Sequence, residues 1–435
     1  MVCGAASSLG QELGITAGTD VLLGESPRLV ITGLAPEESV VLHAYRETRF
    51  YKPGDNKTTR GLAHAYAGFQ ADSRGRIEVD RTAPINGTYA GADPLGLLWS
   101  GERMNWTDMG LKSSGSVLVR VERTGASGAD LTLQLTDGSD HVDVEVVSEK
   151  DVNGVFAKPK KNNKPMPAII LLHGSNGGSI EGARTTAIRF AQLGYGAFAL
   201  NYFSWAGLGS LPKALVNIPV ENITAARTWL SHQANLETDH VAVWGVSKGA
   251  EYALVAAANL NWVNRVVACV PSSVVWSGFG GNSLSGEASS SWTINGRSLP
   301  FISYDNYADV LAGRFSATAV HRRSLERASV QNRAAARIPI ENSNARILLL
   351  GATRDHVWPS ADMTRELERA LLAANKADHL TALVFEGASH FICGTGEEMQ
   401  RITPIVNPEG DNPSPEATAR AAAQAWAATK RFLTQ

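Results

Sequence analysis

His240-Val-Ala-Val-Trp-Gly-Val-Ser247-Lys-Gly-Ala-Glu-Tyr-Ala-Leu254 reads as a short apolar strand, one sharp turn and the start of an alanine-rich helix. The turn holds Gly245-Val-Ser247-Lys-Gly249. A serine at a strand-to-helix corner takes a strained backbone conformation. Neighbouring backbone passes so close that residues without a Cβ are needed on either side. The corner lifts the hydroxyl above the sheet edge and leaves it at a helix N-terminus, where N–H groups stabilise developing negative charge. The five-residue pattern is common by itself. Val241, Val243 and Trp244 before it and Tyr252 to Ala258 after it supply the strand and helix it requires. Ser247 is therefore the expected nucleophile, with Gly245 and Gly249 as the glycines of its elbow.

Outward from the elbow, apolar runs alternate with helical patterns. Ala168–Leu172, a helix near Glu181–Leu193, Gly196–Leu200 and a helix from about Val220 to Gln233 precede it. Val263–Val270, Arg346–Gly351 and Thr381–Phe385 follow as buried strands. Continuous apolar runs between helices predict a mostly parallel sheet covered on both faces. His141–Val147 and Gly154–Ala157 read as a hairpin that begins this sheet, and the basic run Lys158–Pro165 as a solvated loop. Ser414 and Pro415 open a last helix whose apolar stripe includes Trp426 and Leu433. The alternation breaks between Trp276 and Glu341, a stretch that is Gly/Ser-rich at first and then carries Trp292, Phe301, Tyr304 and Tyr307. An insertion there sits above the C-terminal edge of the sheet, so residues 276–341 read as a lid or pocket wall.

Residues 20–138 have a different texture. Arg28–Leu34, Ser39–Glu47, Ala63–Asp72, Arg76–Asp80, Ser116–Gly125 and Leu131–Gly138 are short runs rich in β-branched residues, separated by turn signals such as Ser73-Arg-Gly75. They predict an immunoglobulin-like β-sandwich with no cluster of catalytic side chains. The expected organisation is a flexible N-terminus over 1–19, the sandwich over 20–138 and an α/β catalytic domain over 139–435.

A serine hydroxyl needs a base, and the base needs an acid that orients it. On a sheet of this kind the three follow in the chain order serine, acid, histidine. Asp355 leaves the strand Ile347–Gly351 and is the expected acid. His390 lies on the loop after Leu383-Val-Phe385 and is the expected base. His356 sits too close to the acid in sequence to face it, and His379 precedes the last strand. The oxyanion of a tetrahedral intermediate needs N–H donors. Lys248, directly after the nucleophile, supplies one, and Ser175 or Asn176 in His173-Gly-Ser-Asn-Gly-Gly178 supplies the other. That loop lacks the Lys-Ser/Thr ending of a phosphate-binding loop, and His173 reads as structural.

The chain has 435 residues, 44% hydrophobic and 19% charged, with a net charge of −2. This describes a globular protein with no charge-based reason to bind nucleic acid. No run of about 20 apolar residues predicts a membrane span. No signal-peptide pattern opens the chain, and the cytoplasm is the expected compartment. Three cysteines, Cys3, Cys269 and Cys393, are unclustered, so neither a disulfide framework nor a zinc site is expected. Cys269 reads as a buried strand residue. No metal or organic cofactor is expected.

Several motifs in order carry a family resemblance. Gly245-Val-Ser-Lys-Gly-Ala-Glu251, Ile218-Pro-Val-Glu221, Val270-Pro-Ser-Ser-Val-Val-Trp276, Ile338-Pro-Ile-Glu341 and Asp355-x-x-Trp-Pro-Ser360 are similar to the acyl-CoA thioesterase / bile acid-CoA:amino acid N-acyltransferase family, especially its bacterial members. Asn86-Gly-Thr-Tyr-Ala-Gly-Ala-Asp-Pro-Leu-Gly-Leu-Leu-Trp99 resembles the signature of the family's N-terminal sandwich, so the resemblance spans nearly the whole chain. It implies an α/β-hydrolase fold behind an all-β domain. It also implies a nucleophile, acid and base that carry over onto Ser247, Asp355 and His390. Acyltransferase members tend to use Cys and thioesterase members Ser, so Ser247 implies transfer of the acyl group to water. The expected activity is cleavage of acyl-CoA thioesters, with a small-molecule thioester or ester as substrate. The alternatives are a carboxylesterase or dienelactone-hydrolase-like activity on small esters, acyl transfer to an amine or alcohol, and a catalytically inactive binding module.

Overall fold

The computed structural model describes residues 13–435 apart from 19, 52–57, 106, 112, 114, 150–151, 163, 281–287 and 402–404. The chain divides into two compact units, Met1–Thr136 with Thr395–Pro404, and Asp137–Gly394 with Ile405–Gln435.

The first unit is all-β. Two 13-residue strands, Ser39–Tyr51 and Thr58–Gln70, pair antiparallel from Ser39 opposite Gln70 onward. Ser116–Arg123 and Ala129–Thr136 extend the same sheet. The two-residue period decides the faces: Val40, Leu42 and Ala44 are buried, while the alternating His43 and Tyr45 lie on the other face and are half-buried. A second, three-stranded sheet holds Gly14–Thr16, Val30–Thr32 and Ile77–Glu78. The flexible N-terminus expected over 1–19 falls mostly outside the described residues. Within it, Gly14–Thr16 differs by forming an edge strand, because Ile15 and Thr16 pair with Ile31 and Val30. In the Asn86–Trp99 stretch, Asp93 accepts from the indole N–H of Trp99 and the backbone N–H of Leu95, both at 3.0 Å, and fixes a turn around the buried Trp99.

The second unit is built on one eight-stranded sheet. Its strands are β1 (Val142–Ser148), β2 (Asn153–Pro159), β3 (Met166–Leu172), β4 (Gly196–Leu200), β5 (Leu236–Val246), β6 (Val263–Cys269), β7 (Arg346–Ala352) and β8 (Leu380–Phe385). Their spatial order is β1-β2-β4-β3-β5-β6-β7-β8, with β1 and β2 antiparallel to their neighbours and the rest parallel. Alternate residues of each central strand feed two cores. Ile170, Leu172, Val241 and Val243 pack under α2 (Glu221–Ser231), α3 (Lys248–Asn259) and α4 (Ser360–Ala373). Ile169, Leu171, Ala242 and Trp244 pack under α1 (Ile180–Ala191) and α5 (Pro415–Thr434). Ser414 caps α5 as its sequence predicts, accepting from Ala417 N–H. Among its described residues, the stretch 276–341 holds the short strands Trp292–Ile294 and Arg297–Ser298 and helices over Ala308–Leu311, Ala317–Arg327 and Val330–Ala336.

One expectation is corrected. Cys269 and Cys393 form a disulfide across 124 residues of sequence, with Cα atoms 6.0 Å apart. Their separation in sequence hides the pairing. The C-terminal end of β6 and the loop after β8 reach the same edge of the sheet, and only the folded topology brings them together.

Candidate active site

Ser247 occupies the corner between β5 and α3 with φ 58° and ψ −122°. For a residue with a Cβ this conformation costs about 1–3 kcal/mol and persists only where the surroundings enforce it. Here they do. A Cβ on Gly245 would stand 2.1 Å from Gly249 O, and one on Gly249 would stand 2.2 Å from Leu172 O. The Ser247 N–H donates to Cys269 O at 3.0 Å, and its side chain makes no capping bond to α3. Lys248 N–H, at the first helical position, has no acceptor within the helix.

Asp355 and His390 meet at the same sheet edge. His390 Nδ1 lies 2.8 Å from both carboxylate oxygens of Asp355. A carboxylate only accepts, so Nδ1 carries the hydrogen and Nε2 is left as the basic nitrogen. Val357 N–H, at 2.9 Å, and Trp358 N–H, at 3.2 Å, donate to Asp355 Oδ1. Burial pushes the Asp355 carboxyl up. The charge and hydrogen bond of His390, with the backbone donor, outweigh it and hold the group below its usual value. Ser247 Oγ makes no hydrogen bond to a described residue, so the structure joins two members of the expected triad directly. The third stands against the loop after β3, where a Cβ on Gly174 would lie 3.3 Å from Ser247 Cβ and 3.8 Å from Oγ.

His356 does not bond the acid. Its ring stands edge-on to His390 at 6.1 Å, and burial lowers its pKa to about 4. His173 stacks flat on Tyr202, with ring centroids 4.1 Å apart. Its Nδ1 lies 2.8 Å from Gly174 O, and burial lowers its pKa to about 4, so it is neutral at pH 7.

Sequence reasoning missed the support beneath these groups. The side chain of Lys248 is buried, with Nζ 2.7 Å from each oxygen of Glu251. Glu251 also accepts from the Trp276 N–H at 3.1 Å and the Trp292 indole N–H at 2.7 Å. Burial lowers the Lys248 pKa and raises that of Glu251, each opposed by the other's charge. The i,i+3 spacing was visible, but such pairs usually lie on solvated faces. Trp358 was missed as well. Its indole N–H donates to Val270 O at 3.1 Å, where Val270 is held at φ 46°, and its ring stands edge-on to His390 at 5.9 Å. Among the described residues, no group of three or more His, Cys, Asp or Glu side chains is placed to hold a metal ion.

A corner serine at a helix N-terminus and an acid–histidine pair, on this strand order, define an α/β-hydrolase. The chain belongs to the acyl-CoA thioester hydrolase / BAAT family. Residues 218–435 match the profile described as "BAAT / Acyl-CoA thioester hydrolase C terminal", and residues 25–159 match "Acyl-CoA thioester hydrolase/BAAT N-terminal region". Residues 152–277 also match the dienelactone hydrolase family. Human mitochondrial acyl-coenzyme A thioesterase 2 is 26% identical over 368 residues, covering 80% of this chain and 68% of its own. Mouse acyl-coenzyme A thioesterase 1 is 26% identical over 423 residues, covering 93% and 92%. Mouse peroxisomal succinyl-coenzyme A thioesterase is 26% identical over 375 residues, covering 84% and 81%. Family and fold make this chain a hydrolase. No helix among the described residues is long and apolar enough to cross a membrane.

Proposed function

We propose that the chain hydrolyses acyl-CoA thioesters through an acyl-enzyme on Ser247. His390 Nε2 takes the hydroxyl proton as Oγ bonds to the thioester carbonyl carbon, and the carbonyl π pair moves onto oxygen. Lys248 N–H, with Ser175 or Asn176 N–H, stabilises that oxyanion. The C–S bond then breaks, and the thiolate takes the proton from His390 and leaves as CoA. Water repeats the sequence on the Ser247 ester and releases the acid. Asp355 holds the imidazole in the Nδ1–H tautomer throughout and stabilises its cationic form. The observation that carries this reading is the His390–Asp355 pair, with both carboxylate oxygens at 2.8 Å, at the sheet edge to which the strained Ser247 corner also opens. The family's thioesterase relatives support the thioester as substrate. Replacing Ser247 by Ala is expected to abolish CoA release from an acyl-CoA, read with a thiol reagent, while the circular dichroism spectrum is unchanged. A folded Ser247→Ala enzyme with undiminished turnover sinks the reading.

The dienelactone hydrolase match over 152–277 favours one second reading, cleavage of small oxygen esters. Turnover of an acyl-CoA and of its matched oxygen ester, with and without glycine or taurine, separates hydrolysis of either bond from acyl transfer.

A further inference from the structure

The loop after β3 and the loop after β4 leave neighbouring parallel strands at one edge and are laced together. Three consecutive carbonyls of the first loop are each held by an aromatic side chain. Tyr202 Oη donates to His173 O. His173 Nδ1 lies 2.8 Å from Gly174 O, and because a carbonyl only accepts, Nδ1 is the donor. The Trp205 indole N–H donates to Ser175 O at 2.8 Å. Gly178 N–H then donates to Phe203 O at 2.8 Å and closes the lacing. By contrast, the N–H groups of Gly174, Ser175 and Asn176 donate to none of the described residues.

These two facts belong together. No peptide bond here is cis, and in a trans peptide the carbonyl and the following N–H point in opposite directions. Clamping the carbonyls of His173, Gly174 and Ser175 therefore aims the N–H groups of Gly174, Ser175 and Asn176 the other way. Gly174 lies against the Ser247 side chain, so the segment that carries these unpaired donors begins at the nucleophile. We infer that Trp205 is a positioning residue for the oxyanion site: its indole N–H locks the Ser175–Asn176 peptide and presets its N–H before substrate arrives. A donor fixed in advance needs no reorganisation when charge develops, which is where oxyanion stabilisation gains most of its effect. Trp205 is not a catalytic residue and acts only through the Ser175 carbonyl.

The inference rests on Ser247 as nucleophile, and the test separates the two. Trp205 is 43% exposed, so its replacement leaves the core intact. Trp205→Phe keeps an aromatic ring and removes the donor. Benzothienylalanine at the same position keeps the bicyclic shape and replaces N–H by sulfur. Both are expected to lower kcat about tenfold, short of the ~100- to 1,000-fold cost of losing an oxyanion donor outright, with KM and melting temperature unchanged. Affinity for an alkyl trifluoromethyl ketone, which adds to Ser247 Oγ as a tetrahedral oxyanion, should fall by the same factor. Unchanged kcat and ketone affinity in both variants overturn the inference, as does a rise in KM with kcat intact, which would make Trp205 a substrate wall. Fluorophosphonate labelling of the wild-type enzyme reports on the underlying reading. Label on Ser247 with wild-type behaviour of both variants removes only the role of Trp205, whereas no label on Ser247 removes the nucleophile itself.

Discussion

His321 shows how far a single side chain can be committed to one protonation state. It is 1% exposed, and its Nδ1 lies 2.7 Å from Ala317 O, so Nδ1 holds the hydrogen and Nε2 is buried without a partner. Trp276, Tyr304, Tyr307 and Trp358 surround it edge-on. The titratable groups that act on it are Lys248, Asp355 and His390. Burial drops its pKa from 6.5 to about 4. Between those values the unfolded chain binds a proton that the folded chain refuses. Stability is then full above pH 6.5, falls as pH drops through that window and levels off below about 4, with a slope of about 1.4 kcal/mol per pH unit for one such group. His173 and His356 are lowered in the same direction. His321→Phe is expected to reduce the loss of denaturant stability between pH 6.5 and 5 without abolishing it. An unchanged loss in urea titrations at the two pH values contradicts this assignment.

At the scale of elements, the Glu251 carboxylate joins α3 to the 276–341 insertion through Trp276 and Trp292. Glu251→Gln leaves the Lys248 ammonium buried without its counter-charge, and breaking such a pair from one side costs about 3–5 kcal/mol. A large fall in melting temperature is expected, partly recovered by the double replacement Lys248→Met with Glu251→Leu. If the double variant melts no higher than the single one, the destabilisation has another origin. The elements that carry Ser247, Asp355 and His390 were legible in the sequence because each depends on local signals: a glycine-flanked corner, or a polar residue just past an apolar run. The support was not legible, because it depends on contacts between distant segments. Glu251 with Trp292, Trp358 with Val270 and Trp205 with Ser175 are separated by 41, 88 and 30 positions. No period or spacing encodes such partners. Thr318, in the helix Ala317–Arg327 of the 276–341 stretch, donates to Asp355 O and ties that stretch to the acid loop.

At the scale of the whole molecule, the disulfide is the feature least visible from composition. Three cysteines with two of them joined leave one thiol, so the unreduced, denatured protein should titrate one equivalent with a thiol reagent and three after reduction. Three equivalents without reduction contradict the bond. Such a bond persists in oxidising surroundings and is uncommon where thiols are kept reduced. The chain between Cys269 and Cys393 includes the whole insertion and the segment bearing Asp355, so the bond makes that stretch a covalent ring. A protease that cuts once inside the ring, at the exposed Arg314 or Arg333 for example, would open it without releasing a fragment. The nicked enzyme would run as one piece on a gel until a reducing agent divided it in two, with Ser247 on one fragment and His390 on the other.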